Sequence, residues 1–172
     1  MNRKFVFFLC LIFAINLSIP IFAAEQTQPE VLVEVYVNKY NEQYLLDITF
    51  DDGTKVSDYD YQIRYVSPMA RGYSMSLYFD VAAIVTKAEG TTYSLDPTNE
   101  VRFSKEKADL AWATLSSPTV GFAYHPSWTN EQCLEWQFYC HFYGAYAKDR
   151  WNLDTWRNAS SFAAVLAARC NP

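Results

Sequence analysis

The chain has 172 residues, a formal net charge of −5 and an aromatic content of 17%. An acidic sequence without a basic cluster argues against nucleic acid as a partner, because phosphate contacts need Lys and Arg. The same balance argues against adhesion to an anionic membrane surface.

The first element is the N-terminus itself. Asn2, Arg3 and Lys4 form a short basic start, Phe5 to Ile15 is unbroken apolar sequence, and Ser18 and Pro20 then interrupt it before Ala23, Ala24 and Glu25. A charged start, an apolar stretch and a small-residue exit describe a secretory signal peptide. The apolar run is shorter than the roughly 20 residues that span a bilayer. Leu9 precedes Cys10, where lipoprotein processing prefers a small residue. Residues 1–24 are therefore expected to be a cleaved leader. Residues 25–172 are expected to be a single secreted domain, periplasmic or extracellular and without a membrane anchor.

Val31 to Val37 alternates β-branched residues with Leu32, Glu34 and Tyr36 and predicts a strand. Asn38 to Gln43 reads as a turn and Tyr44 to Phe50 as a second strand. Asp51-Asp52-Gly53 is a turn signal. Tyr59 to Val66 and Tyr73 to Val81 predict two more strands, separated by Ser67-Pro68 and Gly72. In the latter, Met75, Leu77, Phe79 and Val81 share one face, the pattern of an antiparallel strand with its other face wet. Ala82 to Lys87 extends that strand, and Gly90 to Asn99 reads as a loop with a short strand at Thr92 to Leu95.

The period then changes. Ser104 caps a helix over Lys105 to Leu115, with Ala108, Ala111, Trp112 and Leu115 as its stripe. Ser116 to Trp128 carries Pro118, Gly121 and Pro126 and reads as a loop or edge strand. Thr129 with Gln132 forms a capping box for a helix running to about Ala147. Trp151 to Arg157 reads as irregular. Ser160 or Ser161 opens a last helix through Ala168. Strands first and helices after predict an α+β fold: an antiparallel sheet of four or five strands from the N-terminal half, packed on two or three C-terminal helices.

On the long helix, Cys133, Trp136 and Cys140 share one face and Leu134, Phe138 and Phe142 nearly the opposite one. Two apolar faces mean burial on both sides. Gln137 and His141, at i and i+4, lie on a seam between them. Cys133 and Cys140 are about 10.5 Å apart along the axis, too far for a disulfide, whose Cα atoms lie within about 7 Å. Cys170 is thus the partner of one of the two, and spacing alone leaves both pairings open.

Chemistry-bearing constellations are sparse. Cys133 and His141 point about 80° apart on the helix, so they do not form a nucleophilic pair locally. Glu131 and Glu135 fit a solvated helix face. Cys133, Cys140 and His141 lack zinc-ligand spacing, and no cofactor motif is present. Asn158-Ala159-Ser160 has the form of a glycosylation sequon. Trp128, Trp136, Trp151 and Trp156 crowd one region. Packing explains them better than a binding patch does, with Trp151 and Trp156 the better candidates for exposure.

Gln137-Phe138-Tyr139-Cys140-His141, Trp151-Asn152-Leu153-Asp154-Thr155-Trp156-Arg157 and Cys170-Asn171-Pro172 stand in this order. They resemble the C-terminal signature of a secreted bacterial family, domain of unknown function 2599, over roughly Tyr65 to Pro172. Asp154, Thr155 and Asn158 stand where that pattern usually has Glu, Pro and Pro. The resemblance implies secretion and a Cys140–Cys170 bridge, leaving Cys133 a free buried thiol, and it implies no activity.

The expected function is that of a non-catalytic secreted interaction or binding domain whose partner is an extracellular protein or glycan. The alternative is a small secreted hydrolase or hydrolase inhibitor. Gln137, His141, Trp151, Asp154, Trp156 and Arg157 are expected to form one structural or binding cluster.

Overall fold

The computed structural model describes residues 29–50, 52–66, 74–88 and 90–172. The expected leader, Cys10, Asp51, Ser67, Pro68 and Gly72 lie outside these. Five strands form one sheet: β1 (Val31–Asn38), β2 (Tyr61–Tyr65), β3 (Phe79–Lys87), β4 (Gly90–Pro97) and β5 (Trp151–Asp154). Their order is β2-β1-β3-β4-β5. The helices are α1 (Glu42–Leu46), α2 (Asn99–Phe103), α3 (Lys105–Leu115), α4 (Glu131–Gly144) and α5 (Phe162–Ala167), with a 3-10 turn at Val56–Asp58. The fold is α+β.

Both faces of the sheet are covered. Ala82, Ile84, Tyr93, Leu95, Trp151 and Leu153 pack under Ala108, Ala111, Trp112 and Leu115 of α3 and under Leu134 and Phe138 of α4. On the other face, Val33, Val35, Val81, Ala83 and Val85 pack under Leu45, Ile48, Phe50 and Val56. Strands buried on both faces lose the apolar–polar alternation of a half-wet sheet. This is why β4 runs longer than the expected Thr92 to Leu95.

The sheet is mixed. β1 pairs with β2 in parallel, Val31 opposite Tyr61, while the other three pairings are antiparallel. A parallel partner needs a crossover, which residues 39–60 supply where a strand was expected over Tyr44 to Phe50. Asn41 caps α1 by accepting from the Tyr44 amide, Glu42 adds charge to the first turn, and Leu45 is buried. Leu45 and Ile48 then point to the core at helical spacing, which the strand reading missed.

Three further expectations are corrected. Residues 74–76 are helical and Leu77 is exposed, so the strand begins at Phe79. Thr129 and Gln132 do not box the start of α4. Asn130 holds that position in the left-handed region at φ 53°, its amide donating to the Arg157 carbonyl and the Asn158 side chain at 2.8 Å each. The expected irregular segment begins as a strand, β5, so the sheet is not confined to the N-terminal half. The Ser104 and Ser161 caps stand as expected, accepting from the Lys107 and Ala164 amides.

Candidate functional site

β5 is four residues long and enters the sheet late in the chain. Its inner edge pairs with β4, Trp151 opposite Leu95 and Asp154 opposite Thr92. Its outer edge would leave backbone groups without partners, which is costly when buried. Two α4 side chains take that place. The Gln137 amide donates to the Asp154 carbonyl at 3.1 Å, and its oxygen accepts from the Asp154 amide at 2.9 Å. One turn on, His141 Nε2 lies 3.2 Å from the Asn152 carbonyl. The seam at i and i+4 thus works as a surrogate sixth strand.

Strand alternation sorts the β5 side chains. Trp151 and Leu153 go into the helix-side core and are fully buried. Trp151 is therefore not exposed, contrary to expectation; its ring stacks on His141 at 5.9 Å between centroids and 11° between planes. Asn152 and Asp154 go to the other face. Thr92 donates to Asp154 at 2.7 Å and Arg157 Nε donates to its second oxygen at 2.9 Å. Burial pushes the Asp154 carboxyl up to about 6, against the Thr92 hydrogen bond and the Lys87 charge. Arg157 also donates to the Pro172 carbonyl at 2.8 Å.

Trp156 is 39% exposed and packs on Gly90. A Cβ on Gly90 would come within 2.3 Å of the indole, and φ there is +156°. Trp151 and Asp154 thus belong to β5, Gln137, His141 and Arg157 bond to it, and Trp156 packs on Gly90 beside it. Cys140 and Cys170 are disulfide-bonded with Cα atoms 5.3 Å apart, and Cys133 is a free buried thiol.

Two cavities flank β5. The smaller, about 200 Å³, lies between Lys87, Asp154, Trp156 and Arg157. The larger, about 610 Å³, is bounded by Asp47, Thr49 and Phe50 on one side and by His141, the stretch from Ala147 to Arg150, Asn152 and Asn171 on the other. Three of its lining residues carry buried polar atoms without a hydrogen-bond partner: His141 Nδ1, Arg150 Nη1 and Asn152 Oδ1. Buried polar atoms are normally paired; these three are sealed from solvent and so sit behind the cavity wall.

Each is held by its other atoms. The Asn152 amide donates to the Thr49 carbonyl at 3.0 Å, which turns Oδ1 away as an acceptor. Arg150 Nη2 donates to the Tyr44 carbonyl at 2.6 Å, with the guanidinium 4.1 Å from the Tyr44 ring centroid. A carbonyl can only accept, so His141 carries its proton on Nε2 and presents Nδ1 as a lone pair. Burial lowers the His141 pKa to about 4, against the raising effect of the Asn152 carbonyl, so the ring is neutral at physiological pH. A folded pKa below the unfolded value of about 6.5 gives stability that is full above 6.5 and lost as pH falls through 4.

Arg150 and the side chain of Asn152 are the site residues that sequence reasoning missed. Arg150 directly precedes the signature segment, which is the one hint the sequence holds. Among the described residues no group of three or more His, Cys, Asp or Glu side chains could hold a metal ion, and no helix is long and apolar enough to cross a membrane.

The model of a family described as Protein of unknown function (DUF2599) matches residues 80–172. No curated protein and no solved structure matches the chain.

Proposed function

The chain belongs to the DUF2599 family, and from that premise we propose that it is an extracytoplasmic, non-catalytic binding domain whose ligand site is the cavity beside β5. The cavity itself carries the reading, because Asp47, Lys148, Asp149, Arg150 and Asn152 bring polar side chains of both charges to its wall. Its lining from His141 to Asn171 falls within the matched region. A volume of about 610 Å³ lies in the usual range for small-molecule sites, and a few convergent polar groups are what such sites use for orientation. The working location outside the cytoplasm is supported by the leader-like N-terminus and by the disulfide, which persists in oxidising compartments. A glycan or a protein segment would engage the cavity through a small polar group.

Blocking the cavity tests this. Ala147 lines it and is exposed, so Ala147→Trp adds bulk there without touching the core. Thermal melts against a panel of sugars, amino acids and organic acids should find at least one that raises the melting temperature of the unaltered protein. At a ligand concentration a hundredfold above Kd the gain is about 2.7 kcal/mol, and the variant should show none of it. A panel that stabilises neither protein, or both equally, contradicts the site.

A further inference from the structure

We infer that β2 is a docking edge whose occupant is a second copy of this chain, the two β2 strands pairing antiparallel across a two-fold axis at Ile63. This edge is at the opposite end of the sheet from β5 and outside the matched region, so the contact is separate from the cavity.

The open edge follows from the ladder. β2 ends the sheet, with β1 as its one neighbour. The Val31 amide donates to the Asp60 carbonyl and the Val66 amide to the Val35 carbonyl. With Val33 opposite Ile63, Gln62 and Arg64 therefore turn their backbone groups to β1, and Tyr61, Ile63 and Tyr65 turn theirs outward. Among the described residues nothing bonds to those three on the outer side. Sheet edges are commonly blunted by Pro, Lys, a bulge or a covering segment. β2 has neither Pro nor Lys, and its register with β1 runs from Tyr61 to Tyr65 without a shift. Tyr61 and Tyr65 are 37% and 58% exposed. The one charged residue, Arg64, is drawn to Glu34 of β1 at 3.4 Å.

The occupant follows from the order of the side chains. Tyr61-Gln62-Ile63-Arg64-Tyr65 reads nearly the same in both directions about Ile63. Antiparallel pairing with a second copy in that register puts Tyr61 across from Tyr65 of the second copy and Ile63 across from Ile63. All three outward residues then exchange backbone bonds in pairs. Aromatic residues directly opposite each other stabilise a sheet. On the other face Gln62 meets Arg64 of the second copy, so no like charges oppose each other. The far edge of the sheet, β5, is already closed by Gln137 and His141. A two-fold contact uses the same surface on both copies, so the pairing ends at two. Five residues a side, against the roughly 20–30 of a standard interface, make the dimer weak and dependent on concentration.

Sedimentation velocity of the disulfide-bonded protein, from micromolar to near-millimolar concentration, tests the inference together with two double variants at the exposed tyrosines. The unaltered protein should pass from monomer to dimer. Tyr61→Lys with Tyr65→Lys sets Lys across from Lys at both ends of the paired strands and should weaken the dimer at least tenfold. Tyr61→Lys with Tyr65→Glu sets Lys across from Glu in this register and should dimerise at least tenfold better than the double-Lys variant. Should either variant fail to fold, amide exchange in the unaltered protein gives a second reading: the Tyr61, Ile63 and Tyr65 amides should exchange more slowly as concentration rises. A monomer at every concentration would overturn the second copy as occupant and leave the edge for an extended segment of another protein. A dimer that the double-Lys variant does not weaken, or amide exchange at β2 that does not change with concentration, would place the contact elsewhere and overturn the inference. Equal loss in both variants would overturn the two-fold register.

Discussion

Trp151→Ala is expected to destabilise the fold by about 3–5 kcal/mol, the range for deleting a large buried aromatic. Its indole is fully buried and touches two helices at once. The ring meets Phe138 of α4 edge-on at 5.4 Å, lies parallel to His141, and sits 5.7 Å from the Arg102 guanidinium. Removing it would leave a void where β4, β5 and α4 meet and would release the His141 ring from its stacking partner. Total stabilities of such domains are about 5–15 kcal/mol, so the loss is a large fraction of the whole. Denaturant titration should show the midpoint falling sharply. A melting temperature within a degree or two of the original would contradict the burial of Trp151 and the role of β5 as the joint between sheet and helix.

Breaking the disulfide should have the second largest effect. Cys140→Ala is expected to cost about 2–5 kcal/mol, the usual scale for a small disulfide-bonded domain. Cys140 and Cys170 are 30 positions apart, and the loop they close contains β5 and α5. Few other apolar groups hold α5. Val165 is the buried residue beside the bridge, with Trp136, Ala145, Ala159 and Phe162 packed partly around it. Cys133→Ala should cost about 1 kcal/mol, the scale of a small core truncation, because Cys133 is a buried thiol without a covalent partner. Equal losses for the two variants in denaturant titration would show that the bridge does not carry α5.

What the sequence made legible follows from how local each signal is. Val31 to Val37, the Ser104-capped helix and the last helix, capped at Ser160 or Ser161, are written in adjacent residues, by period or by a cap three positions ahead of its partner. The seam formed by Gln137 and His141 was also local, being one turn of one helix. Tyr44 to Phe50 was misread because a five-residue helix carries too few residues to show its period, and the decisive Asn41 cap stood in what read as a turn. β5 has two inward and two outward side chains, too short a run to stand out. Its existence depends on β4 on one edge and Gln137 on the other. Arg150 and Asn152 are ordinary residues in the sequence, and their significance comes from Tyr44 and Thr49, roughly a hundred positions earlier, whose carbonyls they bind across the fold.

His141 closes the outer edge of β5 through Nε2, so the most direct measurement is a pH titration of the His141 ring nitrogens by NMR. A neutral ring protonated on Nε2 down to a pKa of about 4 is the predicted result. A ring protonated on Nδ1, or one that titrates near the ordinary value of about 6.5, would contradict it.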